Sequence, residues 1–250
     1  MAMATEDWAD DWAADEARTA QVRCVYIDIV DFSRGRSIEA QTSIMERLAT
    51  VVRTTLRALA VDREGLLTIP TGDGVCICLI DQLEPFDQDI RIALMVLEQL
   101  HVLNLAEPDP ECRFTVRIGL NENQDNLVTD IAGGRNVIGL GINMAQRVMS
   151  VAGPSQLMLG PSVYARLAQR RLYRPHLTPQ PAIVKHGERL LCYGYCNGAM
   201  ACFAAAAAGG LRSQKDTPLR AARVLDLPLG LRKRSRPTPL AEPSFRLSLR

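Results

Sequence analysis

The sequence predicts an α+β fold: a ferredoxin-like βαββαβ core, with helices packed over an antiparallel sheet. Three observations predict it. VRCVYIDIV (22–30) is a continuous apolar, β-branched run, the mark of a buried strand. Residues 37–60 repeat apolar side chains at three- and four-residue spacing, the stripe of a long amphipathic helix. GLLTIP and VCICLI then flank Gly72-Asp73-Gly74, turn residues suited to a hairpin.

The remaining elements follow in order. Residues 87–105 read as a second helix and CRFTVRIGL (112–120) as a strand, which completes the βαββαβ order. LVTDIAG (127–133) is expected to pair with that strand as a second hairpin. INMAQRVMSVA (142–152) reads as a short helix and QLMLG as a strand. PSVYARLA is a helix opened by proline, and RLLCYGY is the last expected strand.

Length and composition fit one domain with extensions: 250 residues, 47% hydrophobic and 23% charged, with a formal net charge of +1. The expected division is an acidic N-terminal segment (1–20), a folded domain (21–198) and a basic, Pro/Leu-rich, flexible tail (199–250). The near-neutral charge argues against nucleic acid as a partner, and the central strands lack an aromatic platform for bases. GAMACFAAAAAGGL is too short to span a bilayer. The acidic start does not resemble a secretion signal, so the chain is expected to be cytoplasmic with reduced thiols. Of seven cysteines, Cys192 and Cys196 have CxxxC spacing, but no second ligand pair completes a zinc pattern.

Three elements carry chemistry. Asp28 lies within an apolar strand, where a charge is costly unless paired or bound to metal. The hairpin bearing Asp73 should lie beside that strand, so two carboxylates would converge. Such a pair suits hard cations, and two ions could orient a triphosphate. Asn143 and Arg147 are four apart on one helix and share a face. Gly139 and Gly141 before them would permit close backbone approach to a ligand. Each element also has a plain structural reading: a strand-end carboxylate, a turn aspartate, a solvated helix face.

Together these elements resemble the catalytic domain of the class III adenylate and guanylate cyclases over roughly residues 22–197. YIDIVDFS resembles the first metal motif of that family, which implies Asp28 and the Ile29 carbonyl as ligands. TGDGVCICL resembles the second, implying Asp73. GLGINMAQRV resembles the transition-state helix, implying that Asn143 orients the ribose and Arg147 stabilises phosphoryl charge. The resemblance implies two Mg²⁺ or Mn²⁺ ions per site and a nucleoside triphosphate substrate. It further implies a homodimer whose two sites are each shared between subunits. DFSRGRS, at a helix start, suits the β- and γ-phosphates through Phe32, Ser33 and Arg34; the side chains of Arg34 and Arg36 either assist or are exposed turn charges. Lys185 falls near the family's late phosphate-binding lysine.

The chain departs from the family where the base is read. Ile69 and Asn136, the latter preceded by Arg135, stand at the two base-reading positions. Asp31 replaces a frequent glycine. Ile69 cannot hydrogen-bond a purine edge, whereas an Asn amide offers a donor and an acceptor to a pyrimidine. The bacterial pyrimidine cyclases of the Pycsar antiphage systems also lack the purine-reading pair. The expected product is therefore cyclic UMP, a signal in antiphage defence. The alternatives are an adenylate cyclase with an atypical base pocket, or an inactive cyclase-homology module for regulation or dimerisation.

Overall fold

The computed structural model describes residues 18–183 and 189–207. In chain order the elements are β1 (Arg18–Ile29), α1 (Ile38–Ala58), β2 (Leu66–Pro70), β3 (Gly74–Ile80), α2 (Gln88–Ala106), β4 (Val116–Thr129) and β5 (Arg135–Ile138). Then come α3 (Leu140–Ser150), β6 (Leu157–Leu159), α4 (Pro161–Leu167), β7 (Leu177–Ile183), β8 (Arg189–Tyr195) and α5 (Ala201–Ala207). The strands form one sheet in the order β2-β3-β1-β4-β6-β8-β7, with β5 paired to β4 off that path. The α+β class stands, but the sheet is mixed, because β6 runs parallel to β4.

Strand alternation divides the buried residues between two faces. Val25, Ile27 and Ile29 of β1, with Ile77 and Leu79 of β3, pack into the main core with α1 and α2. Val22, Cys24 and Tyr26, with Cys76, Cys78 and Ile80, form a second cluster with Val137 of β5 and Ala145 and Met149 of α3. Asp28 continues the second set, so it belongs to the face that α3 covers.

Element boundaries also differ from the sequence expectation. The strand expected at 112–120 starts at Val116 and continues to Thr129, so 127–129 finish β4 rather than pairing with it. The hairpin partner is β5. The Asp130 side chain closes the turn by accepting the N–H groups of Ala132 (2.8 Å) and Gly134 (2.9 Å). The folded chain passes residue 198: Cys202 and Phe203 of α5 are buried in the main core, and the Cys202 N–H donates to Glu98 on α2 at 3.3 Å. It also begins inside the acidic segment, where Arg18–Ala20 pair with Asp125–Leu127. Residues 1–17 and 208–250, and Lys185, lie outside the described residues. No helix among the described residues is long and apolar enough to cross a membrane.

Candidate active site

Asp28 stands opposite Gly74 in the β1–β3 register, where β1 leaves the sheet. Gly74 has to be glycine: a Cβ there would lie 2.2 Å from the Ile27 carbonyl oxygen and 3.1 Å from the Asp28 Cα. That close approach brings the hairpin tip, with half-buried Asp73, against Asp28. Thr71 N–H closes the turn onto the Gly74 carbonyl at 3.1 Å, and Gly72 takes the left-handed conformation the turn needs (φ 88°). Both carboxylates act on one group, the Tyr26 phenol. Burial raises its pKa most, and the charges of Asp28 and Asp73 add to the rise. The structure thus brings Asp28 and Asp73 together.

A cation already sits at Asp28. Arg117, on the neighbouring strand β4, pairs with Asp28 in register and donates from Nε to its carboxylate at 2.7 Å. Two carboxylates and the end of a strand backbone form a hard-oxygen donor set, which suits Mg²⁺ or Mn²⁺. Asp28 and Asp73, with the Ile29 carbonyl, would hold such an ion, and Arg117 would have to give way.

The turn after β1 leads to α1. Asp31 occupies the left-handed region (φ 52°), a conformation aspartate tolerates better than most residues and one that accounts for a glycine-like position. Ser37 caps α1 by accepting the Ala40 N–H at 3.2 Å. Ser33 and Arg34 are exposed in the turn and Phe32 packs against the main core. Arg36 corrects the expectation of a phosphate ligand. Its guanidinium is committed to the carbonyls of Asp31, Phe32 (3.1 Å), Glu111 (3.2 Å) and Arg113 (3.1 Å), so it braces the turn.

α3 presents Asn143 and Arg147 on one side and packs Gly141, Ala145, Val148 and Met149 on the other. Asn143 is exposed and Arg147 half-buried, so the pair faces away from this chain's own sheet. The start of the helix is held by Asp125, a buried carboxylate on β4 that sequence reasoning missed. It accepts the N–H groups of Gly141 (3.0 Å) and Ile142 (2.9 Å) and a bond from the Asn123 amide (2.9 Å). A Cβ at Gly139 or Gly141 would lie 2.3 or 2.5 Å from an Asp125 carboxylate oxygen. Both glycines therefore make room for Asp125.

The base-reading positions are less closely joined. Ile69 packs into the second cluster beside Val137. Asn136 precedes Val137 on β5, so its side chain leaves the strand on the other side. Its amide oxygen accepts the Val137 N–H at 2.7 Å, which corrects the expectation of a free donor–acceptor pair: the two N–H donors remain. Arg135 is exposed and reaches the Glu64 carbonyl at 3.4 Å.

This is the fold of the class III nucleotidyl cyclase catalytic domains. Among solved structures, the chain is similar to the guanylyl cyclase Cya2 (TM-score 0.59, 12% identity, covering 72% of this chain and 94% of that one). It is similar to the adenylyl cyclase CyaB from P. aeruginosa (TM-score 0.57, 15% identity, 73% and 96%). A third is the catalytic core of a rhodopsin-guanylyl cyclase with converted specificity, in complex with ATPalphaS (TM-score 0.55, 18% identity, 72% and 98%). No family model matches the sequence, and no curated protein matches it.

Proposed function

We propose that the chain is a metal-dependent nucleotide cyclase. The observation that supports it most is the tight apposition of Asp28 and the Asp73 hairpin, on a fold shared with cyclase domains. In this reading the ribose 3′ oxygen gives up its proton to solvent and attacks the α-phosphorus, the bond to pyrophosphate breaks, and a 3′,5′-cyclic nucleotide forms. Asp28, the Ile29 carbonyl and Asp73 would hold divalent ions, which would supply neutralisation of the triphosphate charge. The chain's own groups do the rest: the turn amides around Phe32, Ser33 and Arg34 seat the outer phosphates, Asn143 orients the ribose, and Arg147 takes up charge that develops on the phosphoryl oxygens. Lys185 is the proposed late phosphate ligand.

Asn143 and Arg147 face away from their own sheet, so the site is proposed to be shared between two copies. Ile131, Ile138 and Leu140, all exposed on the β4–β5 hairpin and at the start of α3, give a second copy apolar surface to cover. The proposed substrate is UTP, because Ile69 offers no polar partner to a purine edge; Asn136, on the opposite side of β5 from the cluster that holds Ile69, does not complete that pocket within one copy. A role in antiphage signalling, in the cytoplasm, is part of the same proposal.

The test is incubation of the purified chain with each of the four nucleoside triphosphates and Mn²⁺, with mass spectrometry of the products. Cyclic UMP is expected as the main product and is expected to vanish in Asp73→Ala. Mostly cyclic AMP would overturn the choice of base alone. No cyclic product from any nucleotide would overturn the enzyme.

A further inference from the structure

The sheet face that carries Asp28 also carries three thiols for which the proposed chemistry has no use. Cys24 of β1 stands opposite Cys78 of β3 in the antiparallel register, and Cys76 lies two residues along β3 on the same face. The three sulfurs lie within 4.8 Å of one another. Cys24 Sγ is 4.0 Å and Cys76 Sγ 3.7 Å from Cys78 Sγ. All three are buried and none is in a disulfide. Two paired strands set their backbone positions, so the triangle does not depend on a loop.

We propose that Cys24, Cys76 and Cys78 form a site for one soft, monovalent d¹⁰ cation of the Cu(I) class, coordinated by three sulfurs. The dimensions fit. Three sulfurs in a plane around an ion at about 2.3 Å stand about 4.0 Å apart, with the distance shortening as the ion leaves the plane. Soft sulfur donors select Cu(I) or zinc among the common metals. Zinc would want a fourth ligand, and among the described residues no His, Cys or carboxylate joins the triangle.

The surroundings are apolar: Tyr26, Ile80 and Val137 belong to the same cluster, and Ile69 packs against it. Such a shell keeps out the water that would supply the fourth ligand zinc wants. CxxxC spacing gave no hint of this site, because its ligands come from two strands more than fifty residues apart in sequence.

The experiment titrates the full chain with Cu(I), kept reduced by ascorbate without air, against a colorimetric Cu(I) chelator. One tight equivalent is expected. Cys78→Ala should weaken it by at least about a hundredfold, beyond what loss of an outer-shell partner does. A Cys112→Ser/Cys196→Ser double variant should bind unchanged. X-ray absorption of the loaded wild type, which needs no variant to fold, should show three sulfur neighbours. Full binding by folded Cys78→Ala, nitrogen or oxygen neighbours, or no equivalent bound would overturn the site and leave three packed thiols.

Discussion

Arg117 holds Asp28 at 2.7 Å, so a divalent ion reaches that carboxylate only by competing with a tethered guanidinium. The pair is partly solvated, with Arg117 about one-third exposed, and such pairs contribute about 0.2–1 kcal/mol. Arg117→Gln should therefore tighten Mn²⁺ binding by up to about fivefold, measured by calorimetry without nucleotide. Unchanged or weaker binding would show that the two cations do not compete. Asp125 works at the other side of the site. Asp125→Ala leaves two helix-start N–H groups without their acceptor and should cost about 1–2 kcal/mol of stability, with Asp125→Asn recovering part of it. Thermal unfolding of the three proteins checks the order. Asp28 and Asp73 were legible in the sequence, since one is a charge within an apolar strand and the other sits between turn glycines. Arg117 and Asp125 were not. Each acts on a residue far away in sequence, and only strand register and helix packing bring the partners together.

Elements were legible where their periodicity was strong. α1 carries one buried stripe and was placed within two residues. α2 is apolar on nearly every side because it lies between the sheet and other helices, including α5. β7 was missed because LTPQPAI has two prolines, which read as a break in a central strand but are tolerated on an edge. α5 was missed because an alanine run shows no stripe. The segment before β7 is anchored by Tyr173, fully buried, whose hydroxyl donates to Asp87 at 2.7 Å. Burial, then the bond to Asp87, raises the Tyr173 pKa, and burial pushes nearby Tyr195 up to about 12. Folded pKa values above the unfolded value of about 10 mean that this stability is complete below about pH 10 and fades as pH rises toward 12 and beyond. Tyr173→Phe should lose about 1–3 kcal/mol near neutral pH, and its deficit against wild type should narrow in alkali. Denaturant titrations at neutral and alkaline pH measure both, and a deficit that stays constant would show that the phenol is not the titrating group.

For the whole molecule, the outward face of Asn143 and Arg147 makes a single copy incomplete in the proposed mechanism. Asp28→Ala and Arg147→Ala should each be inactive alone. Mixed in equal amounts, they should recover about a quarter of wild-type turnover, because half of the random dimers carry one intact site of two. A mixture that stays inactive after subunit exchange is demonstrated would rule out sharing.

Pro70 ends β2, and Pro179 and Pro181 lie in β7, so both outermost strands of the sheet carry residues with no N–H to offer a further strand. Both borders are thereby poorer templates for fibril-like growth. Replacing Pro179 and Pro181 together by valine should restore two donors on that rim. The expected cost falls on solubility: light scattering on warming should rise earlier in the valine variant.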